Sequence, residues 1–183
     1  DESADSYIKL SYSSGVLDIT LNKMNYTRTN NKNSTFFKTP ADNYDINLNI
    51  EGTNDINTQC SGGTNAGFYF QNTGDLTISG SGTLNLNVDA YSNATSAISK
   101  SADGNITIQN TTVNITGSGK SNVNGLYLKG AGNIIINNAE VDIDSNYYCL
   151  RLTNGSVDVN NGANLNAKRT STGTVIQSAS SIT

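Results

Sequence analysis

The sequence has no histidine and no tryptophan, and only one proline, one methionine and two cysteines. The missing histidine excludes imidazole-based acid–base catalysis. Charge is scarce too, at 14% of residues, which sets the chain apart from charge-rich disordered sequences. The net charge is −4 and the isoelectric point about 4.6, whereas phosphate binding needs a basic surface, so nucleic acid is not an expected partner. No run of 18 apolar residues occurs, so no membrane-spanning helix is expected. Helical spacing of apolar residues is also missing, and the abundant Asn and Thr are weak helix formers.

No signal peptide is recognisable, and the chain opens Asp1-Glu2-Ser3-Ala4-Asp5-Ser6. With a polar, charge-poor composition, this reads as a secreted or cell-surface protein whose targeting segment has been removed.

What is present is a repeat. Its clearest copy runs from Gly104-Asn105-Ile106-Thr107-Ile108 through Val113-Asn114-Ile115 to Gly125-Leu126-Tyr127-Leu128-Lys129. Each piece alternates apolar with polar residues, the period of a strand with one buried face. Equivalent positions Ile46, Leu76, Ile106, Ile134 and Val157 are 30, 30, 28 and 23 residues apart. Three short strands per coil, with turns of varying length, fit a right-handed, single-stranded parallel β-helix. A propeller blade would need about 40–45 residues and four strands per repeat. About six coils are expected over residues 17–183, preceded by a cap segment, residues 1–16, in which Tyr7, Ile8, Leu10 and Tyr12 form a short strand over the first coil. The last residues, Ser181-Ile182-Thr183, carry no obvious polar cap, so further chain or end-to-end self-association is expected there.

Two local expectations follow from the register. Gly74-Asp75, Gly104-Asn105, Gly132-Asn133 and Gly155-Ser156 fall at one corner of successive coils and should stack as a turn ladder. Cys60 and Cys149 fall three coils apart, ~14 Å at ~4.8 Å per coil. A disulfide needs Cα atoms within ~7 Å, so two free, largely buried thiols are expected.

The runs Leu17 to Leu21, Asp45 to Asn54 and above all Asp75-Leu76-Thr77-Ile78-Ser79-Gly80-Ser81-Gly82-Thr83-Leu84 resemble the small carbohydrate-binding β-helix family of anaerobic bacteria, relatives of pectate lyase in fold. The resemblance implies an exported, non-catalytic protein that binds plant cell-wall polymers such as cellulose and acidic pectic sugars, and it implies calcium. Calcium-bearing members place paired Asp just before the third strand of a coil. Here those positions read Asn65-Ala66-Gly67, Thr95-Ser96-Ala97, Asn124-Gly125 and Tyr148-Cys149, without Asp. Calcium wants carboxylate oxygens, so it is not expected at these positions, and no cofactor is assigned.

The third strands present one outward column: Phe37, Tyr69, Ser99, Tyr127, Arg151 and Ile176, flanked by Lys38, Lys100 and Lys129. Sugar C–H faces lie on aromatic rings, and cations meet carboxylates. The candidate carbohydrate-binding residues are therefore Phe37, Tyr69, Lys100, Tyr127, Lys129, Tyr148 and Arg151, with Tyr147 and Tyr148 either rimming the column or packed as a cap. Aromatic columns also stabilise sheets without binding anything. The second strands carry Asn85, Asn114, Asp142 and Asn166, beside Asn87, Thr116, Asp144 and Lys168; Asp142 and Asp144 are weak metal candidates on an otherwise solvated face. A lyase would need Arg151 as base opposite calcium held by clustered carboxylates, and no such cluster is evident. A polysaccharide-binding module is the leading expectation, and a structural or adhesin segment of a surface protein the alternative.

Overall fold

The computed structural model describes residues 5–29, 35–60, 67–178 and 181–183. It is a parallel β-helix with no helix among the described residues, and so none long and apolar enough to cross a membrane. The chain starts with β1 (Tyr7–Ser13). Six coils of three strands follow. They hold β2 (Val16–Asn22), β3 (Asn25–Arg28) and β4 (Phe37–Lys38); β5 (Asp45–Glu51), β6 (Thr53–Cys60) and β7 (Phe68–Phe70); β8 (Leu76–Ser79), β9 (Thr83–Ala90) and β10 (Thr95–Lys100). Next come β11 (Ile106–Gln109), β12 (Thr112–Gly119) and β13 (Val123–Ala131); β14 (Ile134–Asn137), β15 (Glu140–Ser145) and β16 (Leu150–Asn154); and finally β17 (Val157–Asn160), β18 (Asn164–Arg169) and β19 (Ile176–Gln177). First, second and third strands of successive coils pair into three separate sheets.

The register is the one the spacing implies. Leu17, Ile46, Leu76, Ile106, Ile134 and Val157 are ladder neighbours in the first sheet. Ile56, Leu86, Ile115, Ile143 and Ala167 line the second, and Phe68, Ile98, Leu126, Leu150 and Ile176 the third. Inward aliphatics are fully or almost fully buried through the middle coils. They become half-buried at Val159, Leu165, Ala167 and Val175, where no seventh coil covers them among the described residues. At the opposite end the core is aromatic: Tyr26, Phe36 and Phe68 meet edge-on or tilted, with centroids 4.9 and 5.3 Å apart.

The corner ladder is built in one direction. The Asp75 amide donates to Asp45 Oδ1 (2.8 Å), Asn105 to Asp75 Oδ1 (2.7 Å), Asn133 to Asn105 Oδ1 (2.9 Å) and Ser156 to Asn133 Oδ1 (3.0 Å). Each side chain thus satisfies the backbone of the coil that follows it. Gly132 and Gly155 sit there at φ +148° and +123°, and a Cβ on Gly155 would lie 1.8 Å from the Gly132 carbonyl oxygen, so no larger residue fits the stack.

The cap segment takes a different form from a lid over the first coil. Ser14 and Gly15, both at positive φ, turn the chain so that β1 runs antiparallel along the free edge of β2, Tyr7 opposite Asn22 and Ser13 opposite Val16. It lengthens the first sheet and leaves Ile8, Leu10 and Tyr12 exposed. At the other end Ile182 bridges Val157, and Thr183 exchanges backbone bonds with β17.

Cys60 and Cys149 are free and buried. Burial pushes the Cys149 thiol up from 9.0 to about 11, the Asp144 charge adding to it. The folded state therefore keeps a proton that the unfolded chain releases above pH ~9. Stability should fall as pH rises from about 9 through about 11, by up to about 2–3 kcal/mol. Urea unfolding across that range should show this slope in the wild type and lose that share of it in Cys149→Ala.

Candidate functional site

Alternation along the third strands decides which side chains leave the coil. Ladder neighbours Lys38, Tyr69, Ser99, Tyr127, Arg151 and Gln177 form the outward row. The row is therefore shifted by one residue at both ends from the sequence expectation. Phe37 pairs with Phe68 and Ile176 with Leu150, so both belong to the inward row and pack against the core. Two consecutive phenylalanines, Phe36 and Phe37, precede Lys38 and erase the polar alternation that would have fixed the parity.

Lys100 is the larger correction. It shares a row with Phe70, Leu128 and Leu152 and is fully buried. Its Nζ donates to the carbonyls of Asn72 (2.8 Å), Ala102 (3.1 Å) and Asp103, so it ties together the corner by which the third strand passes to the next coil. Burial pushes its pKa below the usual 10.5, and the charges of Asp75, Asp103 and Asp45 push back. Lys100 is a structural clip and cannot touch a surface ligand.

The remaining candidates do meet. Lys129 Nζ lies 5.8 Å from the Tyr69 ring centre and 5.3 Å from that of Tyr127, spanning the coil of the buried Ser99. Arg151 stacks 4.6 Å above Tyr127 and 5.4 Å from Tyr148, and its Nε donates to Gln177 (3.1 Å). Tyr147 and Tyr148 contact each other edge-on at 4.2 Å, and their hydrogen bond raises the Tyr148 phenol above its ordinary 10.0. Lys38 sits 5.6 Å from Tyr69. One participant escapes the sequence reading. Arg169, from the end of β18 in the second sheet, reaches 5.1 Å from Tyr147 and 5.7 Å from Tyr148. Lys38, expected beside the row, stands in it. The result is a ladder in which cations and tyrosines alternate along the helix axis, each such contact worth about 0.5–1 kcal/mol at an exposed site.

Under this ladder, Thr95, Ser96, Asn124, Tyr127, Lys129 and Arg151 line a pocket of about 100 Å³. Thr95, Ser96 and Asn124 supply neutral oxygen and amide groups but no carboxylate. Here the walls are neutral and the mouth is cationic, so the residues present do not fit calcium. Asn65 and Ala66 lie outside the described residues. A larger concave surface, about 480 Å³, runs along the corner between the first and second sheets, walled by the turn residues Asn110 and Asn138 and by Glu140 at the start of β15. Asn138 donates to Asn110 Oδ1 there (2.8 Å), and the lining holds neither an aromatic ring nor a cation.

On the second sheet, Asp142 pairs in register with Asn114 and Asn166, and Asp144 faces Lys168 at 3.7 Å. Asn side chains form a ladder above them, Asn85 donating to Asp55 (2.7 Å) and Asn114 to Asn85 Oδ1 (2.8 Å). No group of three or more Asp, Glu, Cys or His side chains able to hold a metal occurs among the described residues.

No family model, curated protein or solved structure matches this chain.

The two kinds of lysine should separate in stability measurements. Lys100→Met leaves three corner carbonyls, the Asn72 one buried, without their donor and should cost about 2–4 kcal/mol. Lys129→Met removes only surface contacts and should cost less than about 1 kcal/mol. Equal losses on urea unfolding would contradict the assignment of Lys100 as the clip.

Proposed function

We propose that this β-helix is a non-catalytic carbohydrate-binding module for plant cell-wall or other polysaccharide, acting outside the cell or at its surface. The observation that carries the reading is the alternating row of Lys38, Tyr69, Lys129, Tyr127, Arg151 and Tyr148 along one sheet. Coils are spaced ~4.8 Å apart, so Tyr69 and Tyr127, two coils apart, stand roughly 10 Å from each other. An extended sugar chain running along the axis meets a ring face, then a cation, then a ring face. Apolar sugar faces pack on tyrosine, and hydroxyls or carboxylates meet Lys and Arg. The cations favour uronic acids over neutral sugars.

Arg151 is held between Tyr127 and Tyr148 and bonded to Gln177. That environment suits ligand contact better than proton abstraction, which would need an acidified substrate proton beside it. A second reading, a structural or adhesin segment that stacks end to end, draws on the half-exposed apolar lining of the last coil at Val159, Leu165, Ala167 and Val175.

Retention on immobilised cellulose and pectin tests the first reading. The wild-type chain should be retained on at least one, and Tyr127→Ala should weaken retention about three- to tenfold while lowering the melting temperature by only a few degrees, the share of its lost contacts with Lys129 and Arg151. No retention on any cellulose or pectin matrix would remove the binding reading; concentration-dependent assembly in sedimentation would then favour stacking.

A further inference from the structure

The hairpin that opens the chain leaves one edge of the first sheet bare. Ser14 and Gly15 take φ of +51° and +78°, a two-residue turn that makes Ser13 and Val16 a hydrogen-bonded pair. Alternation then turns the backbones of Ser11, Lys9 and Tyr7 toward β2, and the amides and carbonyls of Ile8, Leu10 and Tyr12 the other way. β1 is the outer strand of its sheet, so the groups turned away have no ladder partner among the described residues. At the far end of the same sheet, by contrast, Ile182 and Thr183 lie along β17 and take up part of its edge.

The bare edge also carries an apolar strip. Three of the five large hydrophobic side chains exposed among the described residues are Ile8, Leu10 and Tyr12, at 38%, 56% and 62%, and all three share one face of β1. The strand has seven residues in unbroken register, with no proline and no bulge, the devices that ordinarily blunt an edge. Its one charged residue, Lys9, is on the opposite face from the strip. β3 and β4 end the other two sheets, so β1 stands one strand proud of them and within reach of another strand.

Register selects the occupant. Two copies of β1 paired antiparallel about a two-fold axis at Leu10 set Leu10 against Leu10 and Ile8 against Tyr12. Every outward amide and carbonyl then finds a partner, and the apolar strips meet side by side. Lys9 of one copy falls opposite Ser11 of the other, and the next residue in that row is Asp18, so the charges complement each other. An axis at Lys9 would instead set two lysines face to face, and an axis at Ser11 would pair Ile8 with Ser14, which belongs to the turn. The first coils of the two copies stay three strand spacings apart, ~14 Å, with the apolar strips lining the gap.

We propose that β1 is a homodimer interface, in which two copies join by their first coils and their β1 strands pair antiparallel about Leu10, merging the two first sheets into one. Such an assembly closes at two copies, unlike stacking through the last coil, and it is independent of what the tyrosine row binds.

Sedimentation of the whole chain from about 1 μM to 1 mM should show a monomer–dimer equilibrium, half-complete at tens of micromolar, that stops at twice 19.3 kDa. Leu10→Pro removes an amide that points away from β2, so the hairpin keeps its own ladder. It should weaken dimerisation at least tenfold and move the melting temperature by no more than a few degrees. Under mild oxidation Leu10→Cys should give a disulfide-linked dimer, its Cα atoms about 5.5 Å apart across the axis. Ser11→Cys, set diagonally at about 8 Å, should not, and the native Cys60 and Cys149 are buried. Leu165→Lys, in the last coil, should leave the dimer unchanged. A monomer over the whole range would overturn the proposal. So would a dimer that Leu10→Pro leaves intact, or linkage through Ser11→Cys as efficient as through Leu10→Cys. Assembly that grows past two copies and is lost in Leu165→Lys would overturn it in favour of stacking through the last coil.

Discussion

Every outward and inward assignment in this protein depends on the in-register parallel pairing of one coil with the next. A single coil has no interior of its own. Its inward Leu, Ile and Val side chains are covered from above and below, which is why Ile78, Ile108 and Ile136 have no exposure and Val159, in the last coil, does. A slip of one residue would turn each strand over and put the tyrosines inside. The corner bonds from each amide to the side chain of the coil before it, at Asp75, Asn105, Asn133 and Ser156, hold that register at the point where the chain turns. Glycine at the same corner lets the backbones approach closely enough for those bonds to form.

The stack has one charged intruder, and its placement shows what the core tolerates. Lys100 occupies an inward position flanked by Phe70 and Leu128. It is accommodated because it lies at the end of β10, where its stem fills a core position and its ammonium reaches three corner carbonyls. In the same fold, Lys129 follows the inward Leu128 by one residue and faces out to the tyrosines. Two lysines in similar sequence surroundings therefore do unrelated jobs, separated by strand parity alone.

The coil boundaries, the inward columns of the middle coils, the corner ladder and the two free thiols were all legible in the sequence, because alternation and turn residues are local signals. Parity at strand ends was less so. Phe36-Phe37 offers two apolar neighbours and no polar marker, and Phe37 went to the wrong face. Lys100 reads as a flank of the outward row, although Ile98, two residues earlier and inward, indicates the opposite parity. Arg169 and the Thr95–Asn124 pocket could not be read from sequence. Arg169 comes to the tyrosines around a joint between sheets, and a pocket is a property of packing, which has no counterpart in a residue pattern.

The register itself is open to a direct chemical check. Thr77 and Thr107 are ladder neighbours on the outward face of the first sheet, within disulfide reach at the spacing of adjacent coils, whereas Ile106, the residue before Thr107, points into the core. Under mild oxidation the double variant Thr77→Cys/Thr107→Cys should close an intramolecular disulfide without loss of stability, and Thr77→Cys/Ile106→Cys should not. Efficient closure of the second pair, or failure of the first, would contradict the stacking on which the tyrosine row and its proposed ligand depend.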